Sequence, residues 1–82
     1  MKANLDCMRD VLSYIYNNID DMEKIRIDDI VAACKGYSKD ELLHTLDHMV
    51  KIGLVTVLPI PRKLVVVDIT SDGITCMRNL IE

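Results

Sequence analysis

His44 and His48 lie four residues apart, with Asp47 beside the second, inside the stretch "SKDELLHTLDHMVKIGLV" (residues 38–55). On a helix that spacing puts both imidazoles on one face, where two can share a metal ion. No third His exists, and no Glu stands between the two as it does in metalloprotease helices. The pair therefore reads as polar residues facing solvent, phosphate or a partner, with no metal expected. Cys7, Cys34 and Cys76 are odd in number and widely spaced among apolar neighbours, with no Cys-x-x-Cys pair. They read as reduced, buried thiols of a cytosolic protein. There is no glycine-rich phosphate loop and no nucleophile elbow. A Cys34–His44 pair would have nothing to orient its base. The sequence predicts no enzyme and no cofactor.

Cationic chemistry is the remaining candidate. Arg62 and Lys63 sit in the proline-bearing turn "PIPRK", well placed for phosphate contact, with Lys35, Lys39 and Lys51 elsewhere. Against this, ten Lys plus Arg face thirteen Asp plus Glu, a net charge of −3. Dedicated nucleic-acid binders are usually basic. The deficit is local: residues 1–23 carry two basic and five acidic groups, and the rest of the chain sums to zero.

Eighty-two residues suffice for a single domain (1–82) with one core. Half of the residues are apolar, yet there is no Phe, no Trp and only three Tyr, so the core must be aliphatic. A chain this short buries only about 60–65% of its unfolded surface. So much aliphatic content predicts that some of it meets a second copy, most simply in a two-fold homodimer. No stretch approaches the ~20 apolar residues of a membrane span, and the N-terminus lacks an apolar leader. The expectation is a soluble, cytoplasmic protein with no membrane partner.

Apolar spacing supplies the elements. Leu5, Met8, Leu12, Ile15 and Ile19 form one stripe of a helix over 4–18, which Asn4 or Asp6 could cap. Ile25-Arg26-Ile27 reads as a short strand. Ile30, Val31 and Cys34 share one side of a brief helix, opened by Asp28 or Asp29 and closed by Gly36. Ser38 and Glu41 fit a capping box. The helix they open turns Leu42, Leu43, Leu46, Met49 and Val50 inward and ends at Gly53. "LVTVLP" and "LVVVDI" form a hairpin, with Val65, Val67 and Ile69 expected to face the helices and Leu64 and Val66 the other side. Thr70 caps a final helix with Ile74, Met77, Leu80 and Ile81 inward. Two helices joined by a tight turn and followed at once by a hairpin make an α+β winged helix-turn-helix: a three-helix core, a two-stranded wing with a short third strand, and a C-terminal helix.

The segment "LHTLDHMVKIGLV" resembles the third helix of bacterial winged-helix transcriptional regulators, which ends in Gly-Leu before the wing. "DITSDGITCMRNL" is similar to the Leu-Thr-x-x-Gly segment after it. "MKANLDCMRDVL", "YSKDELLHTLDHMVKIGLV" and "DITSDG" also resemble a family of short winged-helix proteins of unknown function from Gram-positive bacteria and their phages. Met1, Lys2, Asp6, Arg9, Asp10, Leu12, Tyr37, Ser38, Lys39, Asp40, Gly53, Leu54, Ile69, Thr70 and Gly73 carry that second likeness. It implies a phage or mobile-element setting and supplies no activity.

Two functions follow. In the first, a homodimer binds double-stranded DNA as a transcription regulator would. Lys39, Arg62 and Lys63 contact phosphate, and His44, Thr45 and His48 lie over the groove. In the second, the same fold is a non-catalytic protein-interaction module for a host or phage protein, docking through the wing's apolar outer face. The outward face of the third helix has no Arg, Asn or Gln, the types best suited to bidentate base contacts, and its acids would repel phosphate. Fold alone does not decide between the two. For the dimer, the expected surface is the pair of terminal helices: Leu5, Met8, Leu12 and Ile15 beside Ile74, Met77 and Leu80.

Overall fold

The computed structural model describes residues 4–19, 24–60 and 63–81. The first helix, α1 (Leu5–Asn18), begins where the Asn4 side chain accepts the backbone N–H groups of Asp6 (3.0 Å) and Cys7 (3.2 Å). That cap satisfies two of the donors every helix N-terminus leaves open. Its buried stripe is Cys7, Met8, Val11, Leu12 and Ile15. A two-residue strand, β1 (Ile25–Arg26), leads directly into α2 (Ile27–Ala33), one residue earlier than the charge pattern suggested. The Asp29 carboxylate accepts the Arg26 N–H at 3.0 Å and closes that junction.

A tight turn over residues 34–38 delivers α3 (Lys39–Lys51). As expected, the Ser38 hydroxyl accepts the Glu41 N–H (3.1 Å). The return half of the capping box is not made. The Glu41 carboxylate accepts instead from the Asn4 side chain at 3.4 Å, linking the starts of α1 and α3. At its other end α3 stops in a Schellman motif. Gly53 takes φ +80, its N–H donates to the Val50 carbonyl (3.1 Å), and the Leu54 N–H donates to Met49 (2.8 Å). Leu54 and Met49 are both buried, the apolar contact that accompanies this motif.

The sheet follows from β2 (Val55–Ile60) and β3 (Lys63–Ile69), antiparallel, with β1 on the far side of β3 in the order β1-β3-β2. Ile25 pairs with Val66 and Arg26 with Val65, so the third strand is present as expected. Pro59 is paired with Leu64 inside β2, where the sequence had suggested a turn. It is tolerated because β2 is an edge strand, with one side free of ladder bonds.

The hairpin's facing corrects the expectation. Val55 pairs with Ile69 and Thr56 with Asp68, but Val57 pairs with Val66, which leaves Val67 as an extra residue in β3. This β-bulge resets the alternation by one. Val66 is consequently fully buried in the core beside Ile69, not on the outer face, while Val65, expected inward, is buried as well.

The last helix, α4 (Ser71–Ile81), is fixed by one threonine. The Thr70 hydroxyl lies 2.6 Å from the Gly53 carbonyl and 3.0 Å from that of Leu54, and it accepts the Gly73 N–H at 3.0 Å. The Thr70 N–H donates to the same Leu54 carbonyl (2.9 Å). A side chain at Gly73 would collide with that carbonyl and with Ile69 Cγ1, 2.8 Å from an added Cβ. Gly73→Ala is expected to destabilise by about 2 kcal/mol or more through backbone displacement. Thr70→Val, which keeps shape but removes the cap, should cost about 1–2 kcal/mol. Urea unfolding of each variant reads both losses, and unchanged midpoints would contradict the packing described.

Candidate nucleic-acid interface

Helix α3 divides cleanly. Leu42, Thr45, Leu46 and Met49 are buried, the i, i+3, i+4, i+7 stripe of a core-facing helix. Lys39, Asp40, His44, Asp47 and Lys51 are exposed, and His48 is half-buried. The placement of Thr45 over a groove is therefore wrong. Its residue is 1% exposed, and its hydroxyl lies against the Cys7 thiol with no hydrogen-bond partner of good geometry among the described residues. Thr45 stands three residues after Leu42 and four before Met49, so spacing alone assigns it inward, whatever its polarity.

The outward strip carries opposed charges. Lys51 Nζ lies 3.0 Å from Asp47 Oδ2, an i,i+4 pair that engages the cation locally. Lys39 and His44 remain exposed at the N-terminal half of the helix. No group of three or more His, Cys, Asp or Glu poised to hold a metal occurs among the described residues. Lys63 opens β3, paired with Ile60 at the end of the hairpin, while Arg62 lies outside the described residues. One cation escaped the sequence reading. Arg26 is exposed on the edge strand β1 and pairs with Val65, which places it next to the wing. The alternation Ile25-Arg26-Ile27, with Ile25 fully buried, was the available signal.

The expected dimer surface also needs correction. Met8, Leu12, Ile15 and Met77 are buried within one chain, because α1 and α4 pack on each other. They complete this core and have no face left for a partner. Ile74 and Leu80 are only partly buried, and Leu5 is 59% exposed. Those three are what remains of that surface.

A polar link ties α1 to the helix-turn-helix turn. The Tyr37 hydroxyl donates to Asp10 Oδ2 at 2.9 Å, and Asp10 Oδ1 accepts from Arg9 Nε at 3.1 Å. The hydrogen bond to the carboxylate, assisted by burial and the nearby negative charge, pushes the Tyr37 phenol up to about 12. Burial likewise raises the Cys7 and Cys34 thiols, which keeps them poorly nucleophilic.

With this geometry in place, the chain is similar to a solved structure of BpsR from Bordetella bronchiseptica, reported for the mechanism by which 6-hydroxynicotinic acid regulates that protein's DNA binding. The TM-score is 0.68 at 19% sequence identity, over 92% of this chain and 55% of that one. The likeness shows a shared winged-helix-like α+β fold, and this chain spans about half the length of that protein. No family model matches the chain, and no curated protein matches it. No described helix is long and apolar enough to cross a membrane.

Two measurements test the chemistry described. Thr45→Val replaces an unpartnered buried hydroxyl with a methyl and should stabilise by about 1 kcal/mol. That is a rise of roughly 4–8 °C in Tm for a domain of this size; a fall in Tm would show that the hydroxyl has a partner after all. The Tyr37–Asp10 bond needs the phenol proton. A phenol whose folded value exceeds its unfolded one of about 10 contributes fully below pH ~10. That contribution is lost as pH rises towards about 12. The urea midpoint should therefore fall over that window more steeply in the native protein than in Tyr37→Phe.

Proposed function

We propose that the protein is a small winged-helix, regulator-like protein that binds double-stranded DNA as a homodimer. In this reading α3 approaches the major groove with Lys39, His44 and His48, and Arg26 joins Arg62 and Lys63 of the wing on the phosphate backbone. The observation that carries the reading is the arrangement α2–turn–α3–wing, with Lys39, His44, Asp47 and Lys51 of α3 exposed and His48 half-buried. That is the geometry by which winged helices enter a groove. The fold likeness to a protein whose DNA binding is regulated supports it. The phage or mobile-element setting rests on the sequence resemblance.

The residue types set the character of the binding. Phosphate contacts position a protein, and base-edge contacts specify sequence. The exposed strip offers lysine and histidine but no Arg, Asn or Gln, so affinity comes from the backbone and sequence preference is weak. Against it stand Asp40 and Asp47, exposed on the same helix. These acids favour a second reading, a protein-interaction module that meets a host or phage protein through the α3 face. The wing face proposed for that role has lost Val66 to the core.

Fluorescence anisotropy on mixed-sequence duplexes at low salt tests both. Binding should weaken about tenfold in an Arg62→Ala, Lys63→Ala double variant, equally for all sequences. The slope of log K against log salt should flatten by roughly one to two. No binding at low salt would overturn the DNA reading. A partner recovered from lysate and retained after nuclease treatment would establish the second.

A further inference from the structure

Helix α3 carries both of the chain's histidines, on a strip whose fixed charges cancel. Lys39 and Lys51 are exposed there, and so are Asp40 and Asp47, two cations against two acids. Asp40 lies one turn before His44 and Asp47 one turn after it, while Lys51 lies one turn after His48. His44 is exposed and His48 half-buried, and neither ring makes a hydrogen bond or an ion pair among the described residues.

The elements packed against α3 leave these rings uncommitted. Helix α1 brings Asp6, Arg9 and Asp10, which pair with one another, and the buried Cys7, whose thiol burial pushes up. Helix α2 brings Asp28 and Asp29, the second accepting the N–H of Arg26 at its own helix start. Strand β2, "VTVLPI", has no ionisable side chain. Glu41, half-buried on α3 itself, accepts from Asn4. Histidine is the side-chain type that changes charge between about pH 5 and 8, so mild acidification adds positive charge to this strip at His44 and His48.

We propose that protonation of His44 and His48 turns the outward face of α3 from neutral to cationic, so that duplex DNA is held more tightly in mildly acidic than in neutral solution. The proposal rests on the DNA-binding reading above and names a regulation of the same site. With both rings neutral, the strip offers a phosphate no net attraction. With both protonated, two positive charges stand among Asp40 and Asp47 and offset the repulsion those acids exert. DNA favours the charged rings, so binding raises their affinity for protons. The added affinity is fully present below the titration range of the free protein and is lost as pH rises through that of the complex.

Fluorescence anisotropy with a mixed-sequence duplex, at about pH 5.5 and about pH 7.5 in about 50 mM salt, tests this. The native protein should bind about tenfold more tightly at the lower pH, a rough figure for two exposed charge contacts. The slope of log K against log salt should be steeper there by about one to two. A His44→Gln, His48→Gln double variant should bind at both pH values as the native protein does at the higher one. His44→Gln alone, at an exposed position where folding is not at stake, should lose about half of the pH dependence on a logarithmic scale. A His44→Lys, His48→Lys double variant, charged at both pH values, should bind tightly at both. Equal native affinity at the two pH values overturns the proposal, as does full pH dependence in the double Gln variant, and either result leaves the DNA-binding reading standing. No binding at either pH overturns both.

Discussion

The Leu54 carbonyl is the point on which the architecture turns. It accepts the Thr70 N–H, lies 3.0 Å from the Thr70 hydroxyl, and sits where a side chain at Gly73 would stand. Three elements meet there: the Schellman end of α3, the first residues of β2, and the capped start of α4. Because Gly53 alone can take φ +80 at low cost, the chain leaves α3 in one direction. Because Thr70 is bonded to both Gly53 and Leu54, the returning strand β3 is held to that exit. The Gly-Leu and Thr-x-x-Gly segments, far apart in sequence, are two halves of one junction. Their resemblance to regulator sequences reflects a backbone requirement and says nothing by itself about what is bound.

From that junction the wing inherits its register. Val55 and Ile69, the first pair, are both buried against the helices. A strict alternation from Ile69 would then place Val67 and Val65 inward. The bulge at Val67 interrupts it and brings Val66 in, opposite Val57 on one side and Ile25 on the other. The Asp68 carboxylate accepts the Ile69 N–H at 2.8 Å beside this irregularity, satisfying a donor next to the break in the ladder. The core gains a fully buried valine and the strand gains twist, since bulges tighten the local right-handed coil.

The sequence disclosed element type and order because apolar spacing and capping residues agreed at every step. Asn4, Ser38, Gly53 and Thr70 each do structurally what their type suggests. What escaped was whatever depends on a single residue's exception to a periodic rule. The bulge is invisible to alternation, since four of the five residues 64–67 and 69 are valine or isoleucine and give no contrast. Thr45 was read by polarity when its spacing pointed the other way. The dimer stripe was misread for a different reason: periodicity identifies an apolar face but not what covers it, and here α4 of the same chain covers α1. The Tyr37–Asp10 bond joins residues 27 apart and was out of reach of any local pattern.

The candidate interface is governed by a balance of charge that favours the wing over the helix. On α3, Asp47 holds Lys51, while Lys39 is exposed and makes no ion pair among the described residues. Exposed pairs of this kind are worth little to stability, typically 0.2–1 kcal/mol, but a cation must give up its acid to meet a phosphate. Arg26 has no ion pair among the described residues and lies on the strand next to β3, at whose start Lys63 stands. A phosphate meeting the Arg26 side chain would displace no carboxylate of the described residues, only counterions, whose release drives protein–DNA association. On the proposed DNA-binding reading, Arg26 at the sheet edge is therefore better placed than Lys51 of α3 to meet a backbone phosphate.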